Sequence, residues 1–335
     1  MHRLASRRRS LLTLISGAYL ATMVALWLAE TLVAERHWLT TLATYAPQQI
    51  YGLPLPFLVL ASLIRRNRRA LALNLAALLI LVFGLMGFTL PLRLPSRSQG
   101  TSLRVMTYNI HHGAAGIAAV ARVIRDHRPD IVCLQEANAC EPWEDPMPEL
   151  VRLLPGWRAT SHPRELAVLS QYPIVGERFA QVRGSSERGV LQVTVLAKGI
   201  PLRILDAHFS TAMKPESLSR RKTSVRRYLR GAAVVRSRQA ARLKGLAATS
   251  EGPVVIAGDL NTPPRGRVYR RLARSYTDAF RAAGVGFGHT YRANLPVERI
   301  DYVFVGNGVK VKRCFTPRVR ASDHRPVVAD LILGN

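Results

Sequence analysis

From Ala70 to Leu92 the chain carries no charged residue, and an apolar run of about 20 residues is what an α-helix needs to cross a bilayer. In hydrocarbon every backbone polar group must find its partner inside the segment, so a run that enters a membrane does so as a helix. Leu11 to Ala29 is a second such run, preceded by the basic stretch Met1 to Arg9. That arrangement also describes a cleaved signal peptide, but the run is too long for one and further apolar runs follow. Ala46 to Ile64 is a third, interrupted by Pro47, Pro54 and Pro56. Prolines are tolerated in membrane helices, and a helix buried in a globular core is the alternative for this stretch. The expected spans are therefore about residues 10–33, 46–64 and 70–92.

Arginines in the short flanks set the expected orientation. Arg3, Arg7, Arg8 and Arg9 precede the first run, and Arg65, Arg66, Arg68 and Arg69 separate the second from the third. The loop between the first two runs has Arg36 beside Glu30 and Glu35. Three spans put the N-terminus and the Arg65 to Arg69 loop in the cytoplasm, making this a multi-pass cell-membrane protein with its C-terminal part on the extracytoplasmic side. Two spans would return that part to the cytoplasm. Residues 1–94 form the membrane region and 95–102, with Pro95, Ser96, Ser98 and Gly100, read as a linker. A separate domain is expected over 103–335, long enough to bury a substantial core.

Within that domain, short apolar β-branched runs recur: Leu103 to Ile110, Asp130 to Gln135, Ala167 to Ser170, Val190 to Leu196, Leu202 to Ala207, Val254 to Ala257, Ile300 to Val305 and Val327 to Leu333. These read as strands, with helices at Ala115 to Asp126, Ala232 to Thr249 and Gly266 to Leu272. Many strands with a few interposed helices predict an α+β fold, a two-sheet β-sandwich with outer helices. Six polar stretches stand at one end or the other of such runs: Tyr108-Asn109, Gln135-Glu136, Asp206-Ala207-His208, Gly258-Asp259-Leu260-Asn261, Ile300-Asp301-Tyr302 and Ser322-Asp323-His324. Such groups are costly to bury unless they pair with one another or hold a metal. Six in one order point to a single site.

The order and wording of these motifs resemble the endonuclease/exonuclease/phosphatase superfamily, the DNase I-like group that includes nucleases, inositol phosphatases and neutral sphingomyelinases. The resemblance runs from about Leu103 to Leu333 and does not touch the first hundred residues. It implies hydrolysis of a phosphoester, which needs a cation on the phosphoryl oxygens, an oriented water and a stabilised leaving oxygen. Glu136, a carboxylate directly after an apolar strand, is the leading metal ligand, and oxygen ligands without cysteine favour Mg²⁺ or Mn²⁺. By resemblance, Asn109 supports the metal and Asp323 completes its environment. Asp259 takes a proton from the attacking water, and Asn261 donates to a phosphoryl oxygen. Asp301 orients His324, which contacts the phosphoryl group. His208 matches a second imidazole that stabilises the pentacoordinate state or protonates the leaving oxygen. Glu165 is not expected to partner it, and His111, His112 and His289 have no motif support and read as loop histidines. No nucleophile elbow and no glycine-rich phosphate loop is found, which leaves water as the nucleophile and calls for no organic cofactor.

The net charge of +27 fits either nucleic acid or an anionic membrane surface. It is most concentrated from Arg220 to Lys244, a stretch without an acid that reads equally as an anion contact or a solvated helix face. Cys133, Cys140 and Cys314 show no metal spacing; Cys133 reads as core, and Cys140 and Cys314 are candidates for pairing. A domain tethered beside the bilayer meets lipid phosphoesters at high effective concentration. The leading expectation is thus a membrane-anchored phosphoesterase with a lipid-linked phosphoester or pyrophosphate substrate. A tethered nuclease is the alternative, and a non-catalytic lipid- or protein-binding module is the alternative of another kind.

Overall fold

Proline divides the N-terminal region into more helices than its apolar runs suggest. The computed structural model describes residues 2–91, 100–162, 165–182, 188–211 and 224–334, with side chains from residue 11 onward. It separates into two units, residues 1–88 and 89–335. The first contains α1 (His2–Leu28), α2 (Trp38–Tyr45), α3 (Leu55–Ile64) and α4 (Arg68–Leu79). Two helical stretches, Leu11–Arg36 and Arg68–Leu85, are long and apolar enough to cross a membrane. The third expected span is different: Trp38–Tyr45 and Gln48–Ile64 meet at 87°, a broken span or a re-entrant turn. Pro47 holds Ala46 extended (φ −75°, ψ 148°), because the residue before proline is pushed out of the α region. Polar side chains join these helices. Asn67 caps α4 by accepting from the Ala70 amide and donates to Thr13 Oγ1 at 2.9 Å, while Asn74 donates to Ser62 Oγ at 3.1 Å. In a membrane such hydrogen bonds would replace the hydrophobic drive that lipid cannot supply. Leu14, Phe57 and Ile64 are exposed, as lipid-facing residues would be.

The second unit is built on alternation. Its strands are β1 (Thr101–Asn109), β2 (Ile131–Gln135), β3 (Arg158–His162), β4 (Leu166–Ser170), β5 (Ile174–Gln181), β6 (Gly189–Ala197), β7 (Ile200–His208), β8 (Val254–Asp259), β9 (Thr277–Asp278), β10 (Asp301–Gly306), β11 (Lys310–Phe315) and β12 (Val327–Leu333). They form two six-stranded sheets in the orders β11-β12-β1-β2-β4-β3 and β5-β6-β7-β8-β10-β9. Along each strand successive side chains face opposite ways, so one set from each sheet meets in a shared core. Leu103, Val105, Ile131, Cys133 and Val168 face Val193, Ile204, Val255, Ala257 and Val303 there.

The other faces are covered by helices. Met106, Tyr108, Val132 and Leu134 pack against α5 (Ile117–His127) and α6 (Met147–Leu153). Leu205, Ala207, Ile256 and Phe304 pack against α7 (Val225–Ala248) and α8 (Arg267–Ala273). A short α9 (Ala279–Ala283) is capped by Asp278, whose carboxylate accepts from the Phe280 and Arg281 amides, the usual N-cap arrangement. The expected two-sheet sandwich with outer helices is thus the fold. Cys133 lies in the core as expected, and Cys140 and Cys314 are free thiols, the first exposed and the second buried, so they do not pair. On α7, Arg226, Arg227, Arg230, Arg238 and Arg242 are exposed while Arg236 is buried. Arg220, Arg221 and Lys222, and residues 95–99 of the expected linker, lie outside the described residues.

Candidate active site

Seven side chains on five strands continue the inward register of their own strands past the end of the apolar core. On β1, Leu103 and Val105 lead to Thr107 and Asn109; on β2, Ile131 and Cys133 lead to Gln135; on β7, Leu202 and Ile204 lead to Asp206 and His208. On β8, Val255 and Ala257 lead to Asp259, and β10 starts at Asp301 before reaching Val303 and Val305. Strand pairing sets the polar ends side by side: His208 lies opposite Asp259 in the β7–β8 register, and Asp301 opposite Asp259 in the β10–β8 register. The site is the layer where the space between the sheets stops being apolar. Its floor is a buried amide and acid, Gln135 Nε2 donating to Asp206 Oδ1 at 2.6 Å and to Thr107 Oγ1 at 3.1 Å. Burial raises the Asp206 carboxyl well above the usual carboxylate range.

Asp259 is the hub. Asn109 Nδ2 and Asn261 Nδ2 each donate to its Oδ2 at 3.2 Å, and the Asn261 amide donates to Oδ1 at 2.9 Å. Two imidazoles approach the same Oδ2, His208 Nε2 at 3.3 Å and His324 Nε2 at 3.9 Å. Burial alone would raise this carboxyl, but the contact and charge of His208, the charge of His324 and the Asn261 amide outweigh it and hold Asp259 down at about 2. The preceding Gly258 lets the strands close up. At φ 143° a Cβ there would stand 1.9 Å from the Ala207 carbonyl oxygen, so only glycine fits. Asn261 itself sits at φ 45°, a left-handed conformation that asparagine tolerates.

Each imidazole has its own carboxylate. His324 Nδ1 is 2.9 Å from Asp301 Oδ2, and both side chains are buried. Burial opposes the charge on His324, yet Asp301 and then Asp259 push its pKa up to about 10. Asp301 is in turn raised by burial against the pull of His324. On the other side, His208 Nδ1 lies 3.2 Å from Glu165 Oε1, an ion-pair contact off the hydrogen-bond direction. Burial and Arg188 work against the His208 charge, and Glu165 and Asp259 carry it up to about 9. Arg188 Nη1, 3.3 Å from Glu165 Oε1, anchors that carboxylate from behind. Glu165 is therefore beside His208 after all, which corrects the sequence expectation.

Glu136 follows β2 with φ 53° and turns its carboxylate toward the mouth. Asn109 Nδ2 donates to its Oε1 at 3.1 Å, and His208 Nε2 lies 3.9 Å from the same oxygen. Asp323 stands further out. It is joined to β1 through Ser322, whose Oγ donates to the Asn109 carbonyl at 2.8 Å and lies 3.3 Å from Asp323 Oδ1. His111 and His112 lie on the short turn after β1, as loop histidines would, and that turn sets them beside these carboxylates. His112 Nε2 is 3.5 Å from Glu136 Oε2, and His111 Nδ1 is 3.7 Å from Asp323 Oδ1. Trp143 stacks on His112 at 5.8 Å with the rings 7° apart. His289 lies apart from this cluster with its Nδ1 on the Pro296 carbonyl.

The donor set suits a hard divalent cation. Four carboxylates, Glu136, Asp259, Asp301 and Asp323, gather around one cleft, and the buried Asp301 Oδ1 has no hydrogen-bond partner among the described residues. Asp259, Asp301 and His324 are the described acid and imidazole groups close enough to share an ion, with ligand atoms within 4.8 Å of one another. In that trio, however, His324 Nδ1 and Asp301 Oδ2 are already committed to each other. The carboxylates of Glu136 and Asp323, 21% and 37% exposed, are the open oxygens, with Asn109 orienting the first. Oxygen donors of this kind favour Mg²⁺ or Mn²⁺.

Solved structures share this architecture. An endonuclease/exonuclease/phosphatase from Beutenbergia cavernae is 24% identical over 70% of this chain and 72% of its own, with a TM-score of 0.53. Another from Bacteroides vulgatus is 21% identical over 70% of this chain and 100% of its own, at 0.55. A mannosyl-6-phosphatase from Bacteroides thetaiotaomicron is 17% identical over 69% and 100%, at 0.53. Identities this low speak for the fold alone. No curated protein matches the sequence. The model of the Endonuclease/Exonuclease/phosphatase family matches residues 106–324, a span that begins just before the Asn109 motif and ends on His324, and the chain belongs to that family.

Proposed function

We propose that this protein is a membrane-anchored, divalent-metal-dependent hydrolase that cleaves a phosphoester or pyrophosphate bond of a lipid-linked substrate. The observation that carries the reading is the convergence of two carboxylate-backed imidazoles on one ionised carboxylate, with His208 and His324 at 3.3 and 3.9 Å from Asp259 Oδ2. Glu136 and Asp323, with Asn109 in support, would hold Mg²⁺ or Mn²⁺, which when bound supplies positive charge to the phosphoryl oxygens.

The chain's own groups account for the rest. Asp259, held at about 2, is an acceptor at any working pH and orients the attacking water. It takes the water's proton as the new P–O bond forms and the water becomes acidic. Asn261 Nδ2 can donate to a phosphoryl oxygen. His324, cationic up to about pH 10 and steered by Asp301, stabilises negative charge on the phosphoryl group. His208, cationic up to about pH 9 and backed by Glu165, gives its proton to the leaving oxygen as that P–O bond breaks with its electron pair. Both imidazoles owe their charge to a neighbouring carboxylate, which matches their roles as cation and acid.

The domain layout proposed is a membrane region at 1–94, a linker at 95–102 and a catalytic domain at 103–335. Apolar helices at Leu11–Arg36 and Arg68–Leu85 support anchoring, and an anchored domain samples the layer of lipid headgroups. Arginine flanks favour the extracytoplasmic side if the bent middle pair crosses as one span. The exposed arginines of α7 favour a second reading, a tethered nuclease that grips a phosphate backbone. The deciding experiment is Mg²⁺-dependent hydrolysis by the full-length protein in detergent, comparing polyprenyl pyrophosphate and phospholipid with plasmid DNA, with Asp259→Asn as the blank. Turnover of lipid but not DNA, lost in the variant, supports the proposal. Cleavage of plasmid alone overturns it in favour of the nuclease.

A further inference from the structure

A cavity of about 410 Å³ lies outside the catalytic cluster, lined by Pro296, Arg318, Val319, Arg320 and Arg325. Its size is within the range of small-ligand sites. Three of its five lining residues are arginines and none is an acid. Among the described residues, the arginines that do have ion-pair partners in this unit include Arg104 with Asp330 and Arg299 with Asp278. Among the described residues, Arg318 and Arg320 have neither an ion-pair partner nor a side-chain hydrogen bond, and they act on Arg325 as repelling charges. Like charges held together without a counter-ion attract an anion.

Arg325 is fixed in place. Its Nε and Nη2 both donate to the Ala293 carbonyl, at 2.9 and 2.7 Å, and its amide donates to the Thr290 carbonyl at 2.8 Å. Among the described residues Nη1 has no hydrogen-bond partner. The same two segments frame the catalytic pair: Thr290 Oγ1 accepts from the Asp301 amide, the Ala293 amide donates to the Asp323 carbonyl, and Tyr291 packs on His324 with ring centres 4.8 Å apart. A ligand in the cavity would therefore rest on the backbone that positions His324.

We propose that this arginine-lined cavity binds a phosphoryl group outside the catalytic centre. Planar guanidiniums recognise tetrahedral oxyanions through paired N–H donors, and three around one cavity suit a dianion better than a carboxylate. The phosphoryl group belongs either to a soluble phosphorylated ligand or to a lipid headgroup in the bilayer beside the domain. The site stands independently of the hydrolytic reading, because it uses none of the groups assigned to catalysis.

The test uses the full-length protein in neutral detergent with EDTA. Isothermal titration with inorganic pyrophosphate is one arm, and titration with micelles containing or lacking phosphatidate is the other. The variants are R318A/R320A, R318K/R320K and D259N. Both arginines are exposed, so their truncation should leave the fold intact, as a thermal melt would verify. The expected result is binding weakened at least tenfold in R318A/R320A in one arm, partial recovery in R318K/R320K, and binding by D259N equal to wild type. Loss in the pyrophosphate arm identifies a soluble ligand, and loss confined to the phosphatidate arm identifies a headgroup. Equal binding by R318A/R320A and wild type in both arms, or no binding by wild type in either, overturns the proposal.

Discussion

Replacing Asp301 with asparagine keeps the shape of the side chain and removes the charge that keeps His324 cationic. The contact is 2.9 Å long and both groups are buried, so no solvent screens it. Burial works against the imidazolium, Asp301 is the foremost of the groups favouring it, and together with Asp259 it raises His324 from 6.5 to about 10. With Asp301 neutral, the burial cost is set against the charges of Asp259, whose Oδ2 is 3.9 Å away, and Asp323 only. A return to the ordinary histidine value would cut the cationic fraction at pH 8 from nearly all to about one in thirty. Turnover of bis(p-nitrophenyl) phosphate with Mg²⁺ at pH 8 should accordingly fall about 30-fold, with KM little changed. The alkaline limb of kcat should move from about 9, where His208 begins to discharge, to below about 7. Activity relative to wild type should then recover as pH falls to about 6, where His324 is cationic again. Stability follows the same sign. A histidine raised on folding stabilises fully below its unfolded value near 6.5 and loses that contribution as pH rises through about 10, so the variant should lose less stability in alkali than wild type. A uniform drop at every pH, with the alkaline limb unmoved, would refute the assignment of His324 as the cation.

Glu165→Gln should lower kcat by about 10²-fold, at the low end for loss of a general acid, with KM nearly constant and the His208 limb shifted to lower pH; an unmoved limb in the pH–rate profile would separate His208 from Glu165. Arg299→Met should be strongly destabilising, because Arg299 holds the buried Asp278 carboxylate at 2.6 and 3.0 Å. Orphaning a buried charge costs about 3–5 kcal/mol, which at about 2–4 °C per kcal/mol lowers Tm by about 6–20 °C. Adding Asp278→Asn should recover part of it, and strict additivity in urea melts would contradict the pair. Asp278 is lowered below 3.8, with Arg299 outweighing burial, so the pair's contribution is present above that value and disappears as pH falls beneath it. Mg²⁺ should raise the Tm of wild type by mass action on the folded state. Glu136→Gln should abolish that rise, and an undiminished rise would exclude Glu136 as a ligand.

Which strands the sequence reveals depends on where they lie in the sheets. The runs expected to be strands are the interior ones, β1, β2, β4, β6, β7, β8, β10 and β12, where both faces are covered and apolar residues predominate over the eight together. The four strands without a clear signal, β3, β5, β9 and β11, occupy the four sheet edges. Edge strands are short or carry charge, which guards against pairing with other chains. Arg158 to His162, the Glu177-Arg178 pair in β5, and Lys310, Lys312 and Arg313 in β11 break the alternation that makes a strand recognisable. The middle apolar run leaves its path open for a different reason. Composition marks Ala46 to Ile64 as membrane-compatible, but the local geometry imposed by Pro47 bends the chain by 87°, and hydropathy holds no information about direction.

The site residues divide along the same physical line. Asn109, Glu136, His208 and Asp259 follow or end strands that run toward the site, and a polar residue closing an apolar run is conspicuous. β1 and β2 run parallel, as do β7 and β8, so their C-terminal ends coincide. A strand antiparallel to these brings its beginning to the same place. Asp301 opens β10, antiparallel to β8, and is legible because Ile300-Asp301-Tyr302 carries a motif. Glu165 has the equivalent position before β4, antiparallel to β2 with Leu166 opposite Gln135. The Ala137 amide donates to its carbonyl at 3.0 Å, which sets Glu165 beside Glu136 across the sheet. Its place beside His208 is hidden in the sequence because a carboxylate ahead of an apolar run looks like an ordinary solvated strand start until the pairing direction is known. An acid just before an antiparallel strand and an acid just after its neighbour reach one site by register alone, and His208 takes its charge from the first while standing 3.9 Å from the second.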